Sequence, residues 1–359
     1  MSLKVLLTGP AWFGDLLPFC EHALESLGAE VRSVAVNRAP WLPAAERRRA
    51  AMERVGWIGP KVGFRMQRRE RRRLAEHVNR QVAAALEEWR PDLLLALLSW
   101  GDPLLAETMA RRRDLVRVGW IMDDPFLDDV LAARIEGYDH LYVIDDSWAA
   151  PIRLLTGRPT STLACGADPA SFYRLPDGAV PAELRSRAVF VGSSYRGVPA
   201  GVVRRRLLSA VADLGLAIYG DPGWAAGGPP LAACFRGRGL DTAGSNAAYN
   251  GADIAINIHH PQFRAGTSLR TFAICAAGAF QIVDWRPGLE AYFVPEEEIV
   301  AYRTPEELRE LARRYLADEP ARRRIARAGM ARAQRDHTYA ARLTRILTDV
   351  GLLGRLARA

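Results

Sequence analysis

Short apolar runs without an alternating polar partner recur along this chain, separated by longer stretches of helical period, and the rhythm occurs twice. A strand covered on one face alternates apolar and polar residues, whereas a strand covered on both faces reads as a continuous apolar run. The runs "VLLTG" (residues 5–9), "VRSVAV" (31–36), "PDLLLALL", "VRVGWIMDD", "YDHLYVID" and "STLACG" are mostly of the second kind. Between the first two lies "DLLPFCEHALESLG", a helix closed by Gly28. Before the third, Leu74, Val78, Val82, Leu86 and Trp89 form a helical stripe. Strands alternating with amphipathic helices specify a parallel, doubly wound sheet and exclude a barrel of hairpins.

The rhythm pauses in "DPASFYRLPDGAVPAELRSR", which is proline-rich and aperiodic, and then restarts. "AVFVGSS", a helix over residues 202–214, "LAIYG", "ADIAINIH", a helix from about Ser268, "FQIVD" and "EEIVAY" make a second α/β set. "TPEEL" places Thr304 before Pro305 and Glu307, the pattern of a capped helix start. The reading is therefore an α/β chain of two Rossmann-like domains facing one another across a cleft. An N-terminal domain spans residues 1–170, a linker 171–187, and a C-terminal domain 188–340. A last helix in residues 341–359 is expected to pack back on the N-terminal domain. Ligands of such sheets lie beyond the carboxyl ends of the strands.

Charge and cysteine usage narrow the partners. The chain of 359 residues carries a formal charge of +8, and Lys4 and Lys61 are its only lysines. Arginine presents a planar fork of donors suited to phosphate. Cys20, Cys165, Cys234 and Cys275 are scattered without metal-type spacing, as in a reducing compartment. No leader pattern and no run long enough to span a bilayer is present, so a cytoplasmic location is expected.

Two loops are candidates for holding phosphate. In "VFVGSSYRG", Gly192, Ser193 and Ser194 follow a strand, where small residues let backbone N–H groups approach an anion. Arg204, Arg205 and Arg206 follow on the next helix, although helical arginines usually face solvent. In "AGTSLRTF", Gly266, Thr267 and Ser268 precede an apolar run and Arg270 falls in its first turn. A cation there opposes the helix dipole, which a bound diphosphate would reconcile. Ala273, Ala276, Ala277 and Gly278 allow that helix a close approach to its sheet.

The first domain offers "GPAWFGD" (residues 9–15), where Pro10, Trp12, Phe13 and Gly14 are candidates to contact an acceptor. It lacks the spaced glycines of a dinucleotide site. Asp123 and Asp124 in "WIMDDPF" stand just after a strand, placed to orient a hydroxyl or act as a base. Asp145 and Asp146 in "VIDDSW" read equally well as a helix cap. His259 and His260 are neighbours on a strand end and point to opposite faces. No group of ligands completes a metal site. His337 reads as a packing residue at a helix junction.

From "LAIYGDPGW" through "YNGADIAINIHHP" and "SLRTFAICAAGAFQIVD" to "RIARAGMARAQRDHTYAARL", the chain resembles the CgeB-like spore-maturation glycosyltransferases. The likeness runs over residues 189–347 and is weaker before them. It implies a GT-B architecture with the acceptor in the N-terminal domain and the nucleotide-sugar donor in the C-terminal donor-binding domain, no cofactor and no catalytic metal. By this resemblance Gly192 and Ser193 approach the donor diphosphate and Arg270 neutralises the departing phosphate. Tyr219, Gly220 and Trp224 border the base, and Asn257 and His259 line the cleft. Retention of configuration is implied in the same way. The family's ribose-holding glutamate is replaced by Ala273, and a second acidic position by Ala265. An alanine methyl group makes no hydrogen bond, so the donor pocket is atypical.

The expected function is transfer of a sugar from a nucleotide diphosphate to a small-molecule, glycan or lipid-linked acceptor. A silent, ligand-binding homologue is the alternative, and a GT-B epimerase a more distant one. "KVGFRMQRRERRRL" holds Arg65, Arg68, Arg69, Arg71, Arg72 and Arg73. With Trp57, Ile58 and Phe64 beside them, they make this segment a candidate for peripheral contact with an anionic membrane. Nucleic acid is disfavoured, because no recognition module accompanies the charge.

Overall fold

A computed structural model describes residues 2–11, 16–55, 57, 59–237 and 239–356. The chain divides into two compact units. The first comprises Met1–Ile144, Trp148–Thr162 and Leu343–Ala359; the second comprises Asp145–Ser147 and Leu163–Arg342.

The first unit is built on strands β1 (Lys4–Gly9), β2 (Glu30–Ala35), β3 (Leu93–Leu98), β4 (Val116–Ile121), β5 (His140–Val143) and β6 (Thr160–Thr162). They pair in parallel in the order β2-β1-β3-β4-β5-β6. The central strand β3, "LLLALL", is buried at every position, which only a sheet covered on both faces allows. The edge strand β2 is only partly buried and carries Arg32 and Ser33. The last helix, Tyr339–Asp349, passes from the second unit to the first at Leu343, and within the first the Tyr142 hydroxyl donates to Asp349 at 3.0 Å.

The second unit contains β7 (Ser186–Val191), β8 (Leu216–Tyr219), β9 (Phe235–Gly237), β10 (Ala252–Asn257), β11 (Gln281–Asp284) and β12 (Val300–Tyr302). These are also all parallel, in the order β12-β11-β10-β7-β8-β9. Counted from β7, the sheet runs third, second, first, fourth, fifth, sixth, the order of a dinucleotide-binding sheet. Phe190, Ile218, Ile256, Ile282 and Tyr302 stand in one apolar core with Trp224. The Thr304 hydroxyl accepts from the Glu307 N–H at 3.1 Å, so the helix Pro305–Ala317 starts where "TPEEL" places it.

Two parallel sheets, each flanked by helices, make this a chain of two Rossmann-like domains of the GT-B type. The strand order of the second sheet reverses between β7 and β10. The loops leaving those two strands therefore flank a topological switch point, where open α/β sheets bind ligands. They are the loop opening with Gly192 and the segment Ile258–His260.

Candidate functional site

Arg204 ties the two switch-point loops together. On the helix Pro199–Ser209, residues 201, 204, 207 and 208 share the inner face, so Arg204 is 3% exposed while Arg206 points outward. Its guanidinium donates to the carbonyl of Ser193 at 2.6 Å and to that of Ile258 at 3.0 Å. It also lies over the Tyr195 ring, 4.6 Å from the centroid, and over Phe190 at 5.2 Å. Tyr195 adopts φ +47, a left-handed conformation that is strained for a side chain of this size. Gly201 permits the arrangement, because a Cβ there would sit 2.1 Å from the Tyr195 carbonyl oxygen.

Arg270 joins the same group from the short helix Leu269–Ala276. Its guanidinium stands 6.0 Å from the Phe190 centroid, and Nη1 donates to Asn257 Oδ1 at 3.5 Å. A Cβ on Gly192 would lie 3.3 Å from Arg270 Nη2, so the glycine leaves room for the arginine. Neither Arg204 nor Arg270 forms an ion pair with a carboxylate among the described residues. Burial, and then the charge of Arg270, pull the Arg204 guanidinium down to about 10. It still carries its charge at neutral pH. Two cations thus stand together with no described carboxylate in ion-pair contact, and Asp284 acts on Arg204 only from a longer range.

The helix that carries Arg270 adds to this. Its N-cap residue is Ser268, and no side chain caps it. The Ser268 hydroxyl is buried and has no hydrogen-bond partner. An uncapped helix start beside two unpaired arginines is an electropositive corner.

A buried polar chain supports that corner from below. Asp284 accepts from the His259 backbone N–H at 2.8 Å and contacts His259 Nδ1 at 2.7 Å. The opposite ring nitrogen contacts Thr267 Oγ1 at 2.9 Å, which meets Thr271 Oγ1 at 2.6 Å. Asn257 Nδ2 donates to Thr271 at 3.0 Å and to Gln281 at 2.9 Å, leaving Oδ1 for Arg270. Burial alone would raise the Asp284 carboxyl, but His259 and then Arg286 outweigh it and hold the group below its ordinary value. The chain fixes the orientation of Asn257, and through it one guanidinium nitrogen of Arg270.

Other sequence candidates are placed differently. The Ser194 N–H and hydroxyl both donate to Asp221, at 2.6 and 2.7 Å, so this part of the glycine-serine loop is already bound to a carboxylate. The N–H groups of Arg264, Ala265 and Gly266 converge on Asp145 Oδ2 at 2.7, 3.0 and 2.8 Å. Asp145 Oδ1 accepts from Ser147 at 2.9 Å, the cap that "VIDDSW" suggests. Trp224 is 1% exposed, packs edge-on against Phe190 and donates Nε1–H to the Gly192 carbonyl at 2.8 Å. The Tyr219 hydroxyl donates to the Glu183 carbonyl. Both rings are core, so neither turns a face outward for a base, and Gly220 packs against the Gly192 carbonyl. His337 is buried, contacts the Tyr292 carbonyl at 2.7 Å, and is pulled down by burial to about 4.

In the first unit a cavity of about 1230 Å³ opens between β2, the arginine-rich helix Pro60–Ala84 and the segment 99–103. Pro10 lines it, whereas Trp12, Phe13 and Gly14 lie outside the described residues, as does Ile58. Asp123 and Asp124 stand behind its wall. Asp123 accepts from the Ser99 hydroxyl and the Trp100 N–H, and Asp124 accepts from the Phe126 N–H at the start of a short helical turn. Glu46, Glu70 and Asp102 line the cavity, and Asp102, which sequence reasoning missed, is the most buried of the three. It is 3% exposed and its Oδ2 has no partner. The local signal was "WGDP", a polar turn after β3, and its burial is not visible in the sequence.

No group of three or more potential metal ligands occurs among the described residues. No described helix is long and apolar enough to cross a membrane. Residues 204–348, less than half of the chain, match a family profile described as glycosyl transferase-like. Nothing among curated protein sequences matches. The sucrose-phosphate synthase of Thermosynechococcus elongatus is similar in structure, with a TM-score of 0.67 and 14% identity, over 97% of this chain and 99% of that one. A glycosyltransferase of Rickettsia africae gives 0.63 and 11%, over 99% and 100% of the two chains. Anabaena HepE, solved with UDP and glucose, gives 0.58 and 13%, over 97% and 99%. At these identities the likeness establishes the fold. The chain is a GT-B protein with a glycosyltransferase-like second domain.

Proposed function

We propose that this protein is a metal-independent glycosyltransferase whose second unit binds the diphosphate of a nucleotide sugar at Arg204, Arg270 and the start of the helix Leu269–Ala276. The observation that carries the reading is the convergence of two arginines, unpaired with any described carboxylate, at the switch point of the second sheet. A structural relative supports it: HepE was solved with UDP and glucose. The CgeB-like resemblance of residues 189–347 adds that the acceptor belongs to the first unit and that configuration is retained. When the bond from sugar to diphosphate breaks, negative charge gathers on the leaving phosphate oxygen. Arg270 and the uncapped helix start stabilise that charge where a metal ion would otherwise be used. Arg204 holds the loops in place and adds its own charge.

Ala273 is 3% exposed, so the helix carries a buried methyl group where the family has a ribose-binding glutamate. The donor's ribose is then held by other groups. The same observation favours a second reading, in which the protein binds a nucleotide without transferring sugar. Incubating the protein with a panel of nucleotide sugars and watching release of nucleoside diphosphate separates the two. Release that disappears in Arg270→Ala supports transfer. Tight nucleotide binding with no release from any donor, with or without a mixed pool of acceptors, selects the silent homologue. The buried free cysteines fit a reducing, cytoplasmic setting.

A further inference from the structure

We propose that the first-unit cavity is a binding site for a small acceptor carrying a phosphate or sulfate group, held by Arg68, Arg71 and Arg134, with Asp102 receiving one of its hydroxyls. Describing the ligand as an acceptor rests on the transferase reading, whereas the anion site does not.

Three of the six arginines in the segment 65–73 line this cavity: Arg68, Arg71 and Arg72. Arg72 is engaged by Glu76 at 3.1 Å, and Arg49 on the facing helix by Glu70 at 3.1 Å. Arg68, Arg71 and Arg134 have no ion-pair partner among the described residues. A cavity this large with surplus arginine selects an anion, and the planar fork of guanidinium matches phosphate or sulfate oxygens.

Two residues of the cavity lining carry buried atoms without partners, Asp102 Oδ2 and Arg134 Nε, and the Tyr138 hydroxyl, which interacts with both, is a third. Asp102 Oδ1 is fixed by the Leu104 N–H at 2.9 Å, so the carboxyl is oriented while its second oxygen stays unsatisfied. Buried polar atoms are nearly always paired. An unpaired donor and acceptor in the wall of a cationic cavity mark where a polar ligand completes the hydrogen bonding. The volume accommodates a phosphorylated sugar or comparable polyol.

Burial raises the Asp102 carboxyl to about 7, against the opposing pull of the Leu104 N–H and Arg134. Ionised Asp102 repels an anion, so affinity falls as pH rises through that range. Arg134 and Tyr138 face the carboxyl, and His77, Glu46 and Glu70 also line the cavity.

The test is calorimetric titration of sodium sulfate into the full-length Arg270→Ala protein, in which the second unit's site is disabled, at about pH 6 and about pH 8. Sulfate does not titrate in this range. Saturable binding is expected, weakened about tenfold by Arg71→Ala and weaker at the higher pH. Asp102→Asn should abolish most of the pH dependence. Arg68 and Arg71 are exposed on their helix, so their substitution leaves the fold intact, and an unchanged Tm verifies this. Absence of saturable sulfate binding, indifference to Arg71→Ala, or a pH dependence that persists in Asp102→Asn overturns the proposal. Sulfate failure with Arg270-dependent pyrophosphate binding intact in the wild-type protein leaves the donor site standing; the reverse pattern removes the donor site alone.

Discussion

Arg204 and Arg270 stand over the same Phe190 ring, 5.2 and 6.0 Å from its centroid, and reach it from two different helices. Arg204 is buried and bound to two backbone carbonyls, whereas Arg270 is partly exposed, makes one long hydrogen bond to Asn257 and meets the buried Tyr249 hydroxyl. The pair thus divides into a structural arginine and one left open for a ligand.

That division predicts unequal stability effects. Arg204→Ala strips the partners from the Ser193 and Ile258 carbonyls and should lower unfolding stability by about 2–3 kcal/mol. Arg270→Ala relieves the like charge beside Arg204 but takes a partner from the buried Tyr249 hydroxyl, so it should cost less stability than Arg204→Ala, while donor binding is lost. Chemical denaturation of both variants checks this; a larger stability loss for Arg270→Ala would contradict it.

Gly192→Ala tests the close approach of loop and arginine. The new methyl would meet Phe190 at 3.1 Å and Arg270 Nη2 at 3.3 Å, so the guanidinium must give way by a few tenths of an ångström. Nucleotide affinity should fall roughly tenfold with a stability loss of about 1 kcal/mol or less. Wild-type affinity in this variant would show that Arg270 does not need its present position.

Two buried groups set how stability responds to pH, with opposite signs. Asp102 is raised by burial to about 7 in the folded protein, so between its unfolded value and 7 the folded state holds the extra proton. Stability therefore falls as pH rises across that window, by up to about 4 kcal/mol. Asp102→Asn should be more stable than wild type at about pH 8 and nearly equal to it at about pH 4. Denaturation curves at the two pH values provide the comparison.

His337 behaves conversely. Burial holds it at about 4, so from its unfolded value down to 4 the unfolded chain binds the extra proton and acidification destabilises the fold. With partial screening this amounts to about 1–2 kcal/mol. His337→Gln should show a flatter loss of Tm between about pH 6.5 and about pH 4.

The apolar runs disclosed both sheets because their central strands are covered on both faces; β3 is an unbroken "LLLALL". The short edge strand β9, "FRG", has no such signature and went unread. Arg270 was legible because a cation in a helix's first turn conflicts with the dipole. Arg204 could not be separated from Arg205 and Arg206 until the helix began at Pro199, which fixes its phase. Trp224 was read as a nucleobase border, yet it fills the core beneath Gly192, since exposure of an aromatic is a property of packing. The capture of three amides by Asp145 is a contact across more than a hundred residues, and the unpartnered oxygen of Asp102 is a consequence of burial. Local pattern encodes neither.

The arginine segment shows the same limit from another side. Its charge density was plain in the sequence, but which arginines turn toward a cavity, and which is engaged by Glu76 on the same helix, depended on the phase of the helix Pro60–Ala84. Arg73 instead lies over the Trp41 ring at 4.9 Å.

The central claim is that Arg204 and Arg270 form the diphosphate site. Inorganic pyrophosphate is the fragment common to every nucleotide-diphosphate donor, and its titration into the wild-type protein, Arg71→Ala and Arg270→Ala by calorimetry tests that claim most directly. The account predicts a saturable component that persists in Arg71→Ala and is weakened at least tenfold in Arg270→Ala, the loss of a charge-assisted contact. Pyrophosphate binding of equal strength in Arg270→Ala and wild type, or none in the wild-type protein, would contradict it.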